Sequence, residues 1–381
     1  MVSIEVTIVG GGILGCATVD AVARSGRPVV LLEKESHLAG ATTSRNSEVA
    51  HGGMYYPSGS LKAEYCVRGR RLLKAFCDEA GVRFNECGKL IVAVNDDEVE
   101  SLEPLLARGI ANGVEGFRRI DALELRELEP DIRAVAGLLS PHTGVVDAEG
   151  ASKAFARRAE ESGAMVMTSA EVIGLERVAE GWRVSVRRGD ETWDHVSAAV
   201  VLCGGLFADD LALMAGLDVD ALGLRQRWVK GNYFSVDPRH HGRASHLIYP
   251  IPPRGTDTLG VHLCLDLAGQ MRLGPDYEPV PRLEDYAVDP DRAESFFAGA
   301  SRFLPWLEPG DLQPTMSGIR PKIDTEEPFA DYRIHATGDG LVATAGIDSP
   351  GLTSGAALAE VLADVAAGQE PPLSWTPEAS S

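Results

Sequence analysis

Three glycines near the start of the chain have the spacing of a phosphate-binding turn. Gly10, Gly12 and Gly15 form G-x-G-x-x-G directly after a strand-like run and at the start of a helical segment. Glycine permits the tight turn, lets backbone N–H groups approach a pyrophosphate, and allows the helix to pack closely on the strand. Glu33 ends the next strand-like run, where its carboxylate can accept hydrogen bonds from ribose hydroxyls. These residues predict a bound dinucleotide rather than an ordinary glycine-rich turn.

Two further glycine-rich turns bear on which dinucleotide is bound, because the fingerprint alone does not separate FAD from NAD. An apolar strand precedes Gly204 and Gly205, and another precedes the glycine-rich helix start at 351–355. Contacts at both places would suit FAD, since a helix N-terminus stabilises the negative charge of a reduced isoalloxazine. From these residues alone, a surface turn with a solvated helix start explains the second segment equally well.

The hydrophobic periodicity predicts the elements that position these residues. Residues 5–9, 13–25 and 28–33 have the pattern of a strand, a helix and a strand, which is one βαβ unit. Helical spacing recurs at 60–80, 96–112, 149–162 and in a segment ending near 367, and strand-like runs lie at 88–94, 171–176, 182–188, 198–203, 226–236 and 341–345.

The order of these elements predicts the fold class and the domains. Helices and strands alternate near both ends, whereas the middle of the chain is rich in strands and in Pro and Gly turns. We expect a mixed α/β protein with a Rossmann-like FAD-binding domain and a second, mainly antiparallel β substrate domain. The predicted boundaries are 1–84, 145–210 and 320–381 for the FAD-binding domain, and 85–144 and 211–319 for the substrate domain.

Composition and charge exclude several classes of function. The net charge of −20 repels phosphate backbones, so nucleic acid is not an expected partner. The six cysteines include no C-x-x-C pair, so we expect neither a metal site nor a disulfide framework. A reducing cytoplasm is the expected location, and peripheral attachment to a membrane is left open. The longest apolar stretch, 6–23, contains four glycines and Asp20, so no integral membrane segment is expected.

Five segments of the chain resemble those of a known flavoprotein family. They are SRNSEVAHGGMYYPSGSLKAEYCVRGRRLL at 44–73, HLIYPIP at 246–252, LGVHL at 259–263, GIRPK at 318–322 and GIDSPGLTSGAALAE at 346–360. Over nearly its whole length, the chain resembles the L-2-hydroxyglutarate oxidase and dehydrogenase branch of the D-amino-acid-oxidase-like flavoproteins. The resemblance implies FAD, bound covalently or noncovalently, and hydride transfer to flavin N5.

The expected cofactor contacts come from the glycine fingerprint and from the family-like and strand-end segments. They are Gly10, Gly12, Ile13, Leu14, Gly15, Glu33, Lys34, Thr43, Ser44, Arg45, Val172, Gly204, Gly205, Gly318, Gly351, Leu352 and Thr353. The chain departs from the family pattern near the expected substrate side, with Glu48 in place of a glycine, Cys264 in place of a threonine, and Pro321-Lys322 in place of an Ala-Gln pair. These departures keep another 2-hydroxy acid or an amino acid open as substrate.

His51 is the candidate catalytic base. Oxidation of a 2-hydroxy acid removes the hydroxyl proton while the C2 hydride leaves, and an imidazole with a pKa near ~6.5 suits that role. The resemblance implies that His51 lies beside the flavin, and in related dimethylglycine dehydrogenases the matching histidine is bonded to the flavin ring. A structural histidine inside a glycine-rich loop is the alternative. His262, on a predicted strand, is a second candidate, and a packed core role suits it equally well.

Arg320 and Tyr249 are the candidates for holding a substrate carboxylate. The planar guanidinium of arginine donates two parallel hydrogen bonds to a carboxylate. In amino-acid oxidases of the same superfamily, an arginine in a similar Arg-Pro segment and a nearby tyrosine hydroxyl hold the substrate carboxylate, and Arg320 and Tyr249 resemble that pair. Lys230, Lys322 and Arg45 are alternatives for a second carboxylate.

The sequence therefore predicts an FAD-dependent oxidoreductase acting on a small carboxylated substrate, with the oxidation of L-2-hydroxyglutarate to 2-oxoglutarate as the leading hypothesis. An amine or amino-acid oxidase on the same scaffold and a non-catalytic flavin-binding module are the alternatives. The electron acceptor stays open among oxygen, a quinone and an electron-transfer protein.

Overall fold

The computed structural model describes residues 4–251 and 260–374, so Pro252 and Leu259 of the family-like segments lie outside the described residues. The strands are β1 (Val6–Val9), β2 (Val29–Leu32), β3 (Val49–Ala50), β4 (Phe84–Asn85), β5 (Lys89–Ala93), β6 (Arg118–Asp121), β7 (Ala136–Ser140), β8 (Gly144–Val146), β9 (Met165–Met167), β10 (Glu171–Val178), β11 (Gly181–Arg188), β12 (Glu191–Ser197), β13 (Ala199–Leu202), β14 (Gln226–Val236), β15 (Leu247–Pro250), β16 (Leu263–Leu265), β17 (Met271–Leu273), β18 (Glu278–Val280), β19 (Leu312–Ile323), β20 (Arg333–Ala336) and β21 (Leu341–Ala345). The helices are α1 (Ile13–Arg24), α2 (Leu61–Ala80), α3 (Asp96–Val99), α4 (Leu102–Ala111), α5 (Ala122–Leu128), α6 (Ala148–Glu161), α7 (Ala208–Met214), α8 (Ala293–Ala300) and α9 (Gly351–Ala366).

The first large sheet has the Rossmann-like arrangement. Within the described residues its six strands follow the order β20-β21-β13-β1-β2-β9. β1 pairs in parallel with β2 and β13, while β20 runs antiparallel to β21. Val6 and Ile8 of β1 pack with helices α1, α2, α6 and α9, whereas Val9 packs with the small sheet β10-β11-β12. Because both faces are covered, the central strands are apolar at almost every position.

The second large sheet is mainly antiparallel. Its described strands follow the order β18-β14-β17-β16-β15-β5-β7-β6, and β19 pairs with β14. β5 and β15 pair in parallel, and their register places Lys89 opposite Leu247 and Ile91 opposite Tyr249. Strands β3, β8 and β4 form a further small antiparallel sheet, and β3 ends at Ala50, directly before His51.

The structure confirms the mixed α/β class, with a Rossmann-like sheet and a mainly antiparallel second sheet. The domain boundaries stay a prediction. The single helix expected over 96–112 is wrong, because α3 ends at Val99 and α4 begins at Leu102. Pro104 explains the break, since its ring nitrogen has no hydrogen to donate to the carbonyl of Glu100. Among the helices of the described residues, none combines the length and the apolar character needed to cross a membrane.

Candidate active site

A cavity of about 930 Å³ is lined by residues from both large sheets and from the loops beside them. Gly12 and Ile13 line it at the start of α1, and Tyr249 and Arg320 line it on the second sheet. A cavity of this size accommodates a large organic ligand. The described part of the chain brings together no cluster of three or more His, Cys, Asp or Glu side chains suited to a metal ion.

The glycine fingerprint forms a close strand-to-helix turn at one end of this cavity. Gly10 has a φ of +109°, in the region that favours glycine. A Cβ on Gly15 would lie 1.8 Å from the Gly10 carbonyl oxygen, so a side chain there would collide with the backbone. Gly12 precedes α1 with extended backbone, and Ile13 N–H donates to Thr43 Oγ1 at 3.1 Å. The turn therefore presents the positive end of α1 to the cavity, as an anion site requires.

Glu33 lies directly after β2, beside the fingerprint turn. Its Oε2 accepts a hydrogen bond from the Gly11 backbone N–H at 2.6 Å, and its Oε1 accepts one from Glu35 N–H at 2.7 Å. The carboxylate is thus fixed next to the turn, although Glu33 is not among the cavity-lining residues. Its contact with a ribose stays a prediction.

The remaining expected cofactor contacts fall into groups according to whether they, or residues next to them in the sequence, line the cavity. Those that line it are Gly12, Ile13, Leu14, Thr43, Arg45, Gly205, Gly318, Gly351 and Leu352, and those within two positions of a lining residue are Gly10, Gly15, Ser44, Gly204 and Thr353. Lys34 and Val172 are neither lining residues nor within two positions of one. The Lys34 Nζ sits 3.6 Å from the centroid of the Phe207 ring, and Val172 is buried in the core beneath the Rossmann-like sheet. The roles of all these residues stay predictions.

The first turn of α9 holds His51 in place. Thr353 is fully buried in this turn; its Oγ1 accepts a hydrogen bond from the His51 backbone N–H at 2.9 Å and donates one to the Val49 carbonyl at 3.3 Å. The helix is thereby tied to β3 and to the residue that follows it. The His51 ring lines the cavity, and its Nε2 lies 3.5 Å from Oγ of Ser349, another lining residue.

The environment of His51 keeps its imidazole neutral. Desolvation, reinforced by the positive charge of Lys89 and by His262, holds the pKa of His51 well below its usual 6.5. A neutral imidazole has a lone pair on one ring nitrogen and can accept a proton there. His51 is therefore in the ionisation state that a general base needs at neutral pH.

Tyr249 and His262 form a stacked pair on the second sheet. Their ring centroids are 3.8 Å apart and their planes differ by 19°. Burial lowers the pKa of His262 to about 3 and raises the pKa of the Tyr249 hydroxyl, so both side chains are neutral at pH 7. His262 lies directly before β16, and not within a strand as the sequence predicts.

Two buried polar atoms, one in this pair and one on a neighbouring residue, have no hydrogen-bond partner among the described residues. They are Nδ1 of His262 and the hydroxyl of Tyr55, and both residues line the cavity. Buried polar groups almost always have a partner. A ligand bound in the cavity is the natural partner for these two atoms.

Arg320 lines the cavity but is also anchored to the backbone. Its Nη2 donates to the carbonyl oxygens of Lys230 at 3.2 Å and Asp276 at 2.5 Å, and its Nε lies 3.5 Å from the Val229 carbonyl. Among the described residues, Nη1 makes no hydrogen bond to another side chain or carbonyl. Arg320 therefore offers Nη1 to a ligand, while the rest of its fork holds β14 and the loop before β18.

Lys89 is a functional candidate that the sequence analysis did not identify. It is fully buried at the first position of β5, and its Nζ lies 3.3 Å from Nδ1 of His51. A signal was present in the sequence, since Lys89 opens the otherwise apolar run LIVAV. Lysine is almost never fully buried without a partner, so a lysine in such a strand is informative.

The residues that depart from the family pattern lie at or beside the cavity. Glu48 has a φ of +57°, a backbone conformation that favours the glycine expected at this position. Pro321 and Lys322 line the cavity, and the Cys264 Sγ lies 3.8 Å from the Tyr249 hydroxyl. The departures are thus placed where they can affect the choice of substrate.

Comparison with known proteins agrees with this geometry. A family model described as FAD dependent oxidoreductase (DAO) matches residues 5–365. The chain is 33% identical to the mitochondrial L-2-hydroxyglutarate dehydrogenase of Arabidopsis thaliana, across 95% of this chain and 83% of that protein. It is 38% identical to the L-2-hydroxyglutarate dehydrogenase of Escherichia coli K12, across 71% of this chain and 63% of that relative.

Solved structures resemble the whole fold. L-α-glycerophosphate oxidase from Mycoplasma pneumoniae, reduced and with FAD bound, superposes with a TM-score of 0.85 at 27% identity, covering 99% of this chain and 97% of that one. Glycine oxidase from Geobacillus kaustophilus superposes with a TM-score of 0.80 at 21% identity, covering 96% of this chain and 95% of that one. The second likeness shows the fold alone.

Proposed function

Because the chain belongs to the DAO family of FAD-dependent oxidoreductases, we propose that it oxidises L-2-hydroxyglutarate to 2-oxoglutarate. The relatives named L-2-hydroxyglutarate dehydrogenase, at 33% and 38% identity, support this substrate. The observation that carries the proposal is that His51, Arg320 and the start of α1 line one cavity. A base, a carboxylate-binding cation and a dinucleotide site are what the oxidation of a hydroxy acid requires.

The residues around the fingerprint fit FAD. Gly10 and Gly15 allow the close turn that a side chain would prevent, and the starts of both α1 and α9 line the cavity. Two helix N-termini provide positive potential for a pyrophosphate and for a second electron-rich group. FAD supplies the acceptor for the hydride that leaves C2 of the substrate.

His51 receives the hydroxyl proton in this proposal. Its ring is neutral, and its Nε2 lies near Ser349 within the cavity. Proton removal by a positioned base typically accelerates a reaction by ~10²–10⁴-fold. Its backbone bond to Thr353 fixes the residue without using either ring nitrogen, so the imidazole stays available to the substrate.

Cationic side chains hold the two substrate carboxylates in this proposal. Arg320 directs Nη1 to the first carboxylate, and Arg45 and Lys322 are the lining residues that suit the second. Lys230 is a weaker candidate because it is not in the lining and its Nζ lies 3.7 Å from Asp285. Lys62 lines the cavity but is paired with Asp348 at 2.6 Å.

An anaerobic substrate panel tests the proposal. Purified protein with bound FAD is mixed with L-2-hydroxyglutarate, its D enantiomer and L-glutamate, which replaces the hydroxyl by an ammonium on the same skeleton. The flavin should bleach rapidly with the L-hydroxy acid alone. Bleaching by L-glutamate in preference would support the amino-acid oxidase instead, and a flavin that no substrate bleaches would support a non-catalytic flavin-binding module.

The cytoplasm stays the proposed location of the protein. All six cysteines are free thiols, which suits a reducing compartment. The names of several relatives place those proteins in mitochondria. Cell fractionation with an antibody against this chain distinguishes the two compartments.

A further inference from the structure

Lys89 is a buried cation that the proposed mechanism does not yet use. Within the described residues, the only hydrogen-bond partner of its Nζ is Nδ1 of His51 at 3.3 Å. The rings of Tyr249 and Tyr55 lie 3.9 and 5.5 Å from Nζ, measured to their centroids. Aromatic faces stabilise a cation only partly. A fully buried lysine normally has a carboxylate partner, so this arrangement calls for a functional explanation.

The groups that face Lys89 are neutral at physiological pH. From the neighbouring elements of the described chain they are His51, Tyr55, Cys66, Cys87, Tyr249, His262 and Cys264. Burial raises the pKa of the Cys66 thiol to about 12 and that of the Cys87 thiol to about 11, so neither is a thiolate. With no anion beside it in the part of the chain that the structure describes, burial lowers the pKa of Lys89 to about 8. Its amine therefore exists in both protonation states near neutral pH.

We propose that Lys89 is a positioning residue that accepts the Nδ1 proton of His51 while His51 Nε2 takes the hydroxyl proton of the substrate. This inference rests on the proposed function, with His51 as the base. The neutral amine of Lys89 accepts a hydrogen bond from Nδ1–H and leaves the lone pair on Nε2. The ammonium instead donates to Nδ1, so the neutral ring carries its proton on Nε2 and has no lone pair there for the substrate.

The step balances in protons and electrons. The substrate O–H bond breaks as the Nε2–H bond forms, and the Nδ1–H bond breaks as a third Nζ–H bond forms. The C2–H bond breaks with its electron pair, which bound FAD would accept as a hydride, and the carbonyl double bond forms. Lys89 ends as an ammonium and His51 ends neutral. No imidazolium then has to persist in a site that disfavours it.

The tautomer of His51 tests the inference without substrate or turnover. Nitrogen NMR of the holoenzyme labelled in histidine reports which ring nitrogen carries the proton, and the His51→Gln spectrum identifies the signal. The neutral ring of the wild type should change from Nε2–H below a pH of about 8 to Nδ1–H above it. Lys89→Met should abolish this transition. Lys153→Met is the matched control, because Lys153 is an exposed lysine paired with Glu149 on α6.

The pH dependence of the rate of flavin reduction tests the Lys89–His51 pair during the reaction. The neutral fraction of an amine with a pKa of about 8 rises about tenfold between pH 7 and pH 9, so the anaerobic reduction rate of the wild type should rise about tenfold. Lys89→Met should reduce FAD ~10²-fold more slowly, without this inflexion. Lys89→Arg, which stays protonated, should be slow at every pH.

The outcomes separate this inference from the proposed function. A His51 tautomer that does not change with pH in the wild type, or that changes identically in Lys89→Met, overturns the role of Lys89. So does a Lys89→Met variant with full FAD content and the wild-type rate profile. A wild type that L-2-hydroxyglutarate does not reduce contradicts the proposed function instead, and the tautomer result stands independently of it.

Discussion

The two ends of the cavity are assembled in different ways. The expected cofactor end uses one continuous stretch, in which β1, the turn that begins at Gly10 and α1 follow one another along the chain. The substrate end draws His51, Lys89, Tyr249 and Arg320 from four separate segments. Local spacing determines the first arrangement, and strand pairing determines the second. The chemistry of a turn can therefore be inferred from a single sequence, whereas that of a converging site depends on the fold.

The largest expected effect is at the expected cofactor end, where the backbone leaves no space for a side chain at Gly15. In Gly15→Ala the new Cβ would lie 1.8 Å from the Gly10 carbonyl, so the turn must open. We expect purified Gly15→Ala to lack FAD. Gly310→Ala is the matched control, since a Cβ at Gly310 meets no atom within 4 Å. A full complement of FAD in Gly15→Ala, measured by absorbance, would contradict the description of this turn.

His51→Ala breaks the substrate end while leaving the cofactor end intact. Loss of a positioned base should slow flavin reduction at saturating substrate by ~10²–10⁴-fold, with FAD still bound. The measurement is anaerobic stopped-flow. His142→Ala is the control, because His142 is an exposed histidine bonded to Glu86 and outside the cavity lining. An unchanged rate in His51→Ala would transfer the base role to His262 or to solvent.

Arg320 is proposed to bind a substrate carboxylate, and it also bonds to backbone carbonyls of β14 and of the loop before β18. Breaking a buried charged contact costs ~3–5 kcal/mol, which corresponds to about a hundredfold to several thousandfold in affinity. Arg320→Ala should weaken binding of a nonreactive dicarboxylate to that extent, and Arg320→Lys less. Both variants should also melt at a lower temperature, since the bonds to the Lys230 and Asp276 carbonyls are lost.

Titration followed by the flavin spectrum gives the dissociation constants for Arg320. Arg187→Ala is the control, since Arg187 is half-exposed and pairs with Glu171 on the sheet β10-β11-β12. A purely structural alternative for Arg320 is an ion pair with an acid nearby in the sequence, such as Asp324 or Asp331. The structure places backbone carbonyls around Arg320 instead. Wild-type dissociation constants in both Arg320 variants would remove the carboxylate role.

The smallest expected effect concerns stability at Lys89. Burial lowers its pKa from the usual 10.5 to about 8, so the unfolded chain binds the extra proton between these values. Wild-type stability should therefore rise as pH increases from 8 to 10.5, and the full cost of the buried ammonium is present below pH 8. At about 1.4 kcal/mol per pKa unit, that cost is ~3 kcal/mol at most.

Lys89→Met removes this cost with a side chain of similar length. We expect the variant to be more stable than the wild type at pH 7, and the difference in denaturant melts to shrink toward pH 10. A loss of stability at pH 7 would show that the ammonium is compensated by its aromatic neighbours. The substrate end would then be built for stability as much as for reaction.

The sequence predicts the strands and helices around the fingerprint turn well, because the information is local. β21 matches its predicted range, and the predicted helix over 60–80 ends at Gly81, which adopts the left-handed conformation of a helix end. The segment 96–112 forms two helices instead of the one predicted. The cause, Pro104, is also local and is visible in the sequence.

The substrate end is only partly predictable. His51, Tyr249 and Arg320 come from motifs, but no spacing in the sequence relates Lys89 to His51. Their contact joins the first residue of β5 to the residue after β3, which Thr353 of α9 holds through its backbone N–H. The stacking of Tyr249 on His262 likewise arises only in the folded sheet, where β15 pairs with β16 and His262 directly precedes β16.

If the proposed function holds, the protein converts a hydroxy acid to a keto acid while its own bound FAD is reduced. The most direct measurement is a single anaerobic turnover of the holoenzyme with L-2-hydroxyglutarate, in which reduced flavin and 2-oxoglutarate are quantified together. One equivalent of 2-oxoglutarate should form for each FAD reduced, and none should form with His51→Ala over the same interval. Reduction of the flavin without 2-oxoglutarate, or no reduction at saturating substrate, would contradict it.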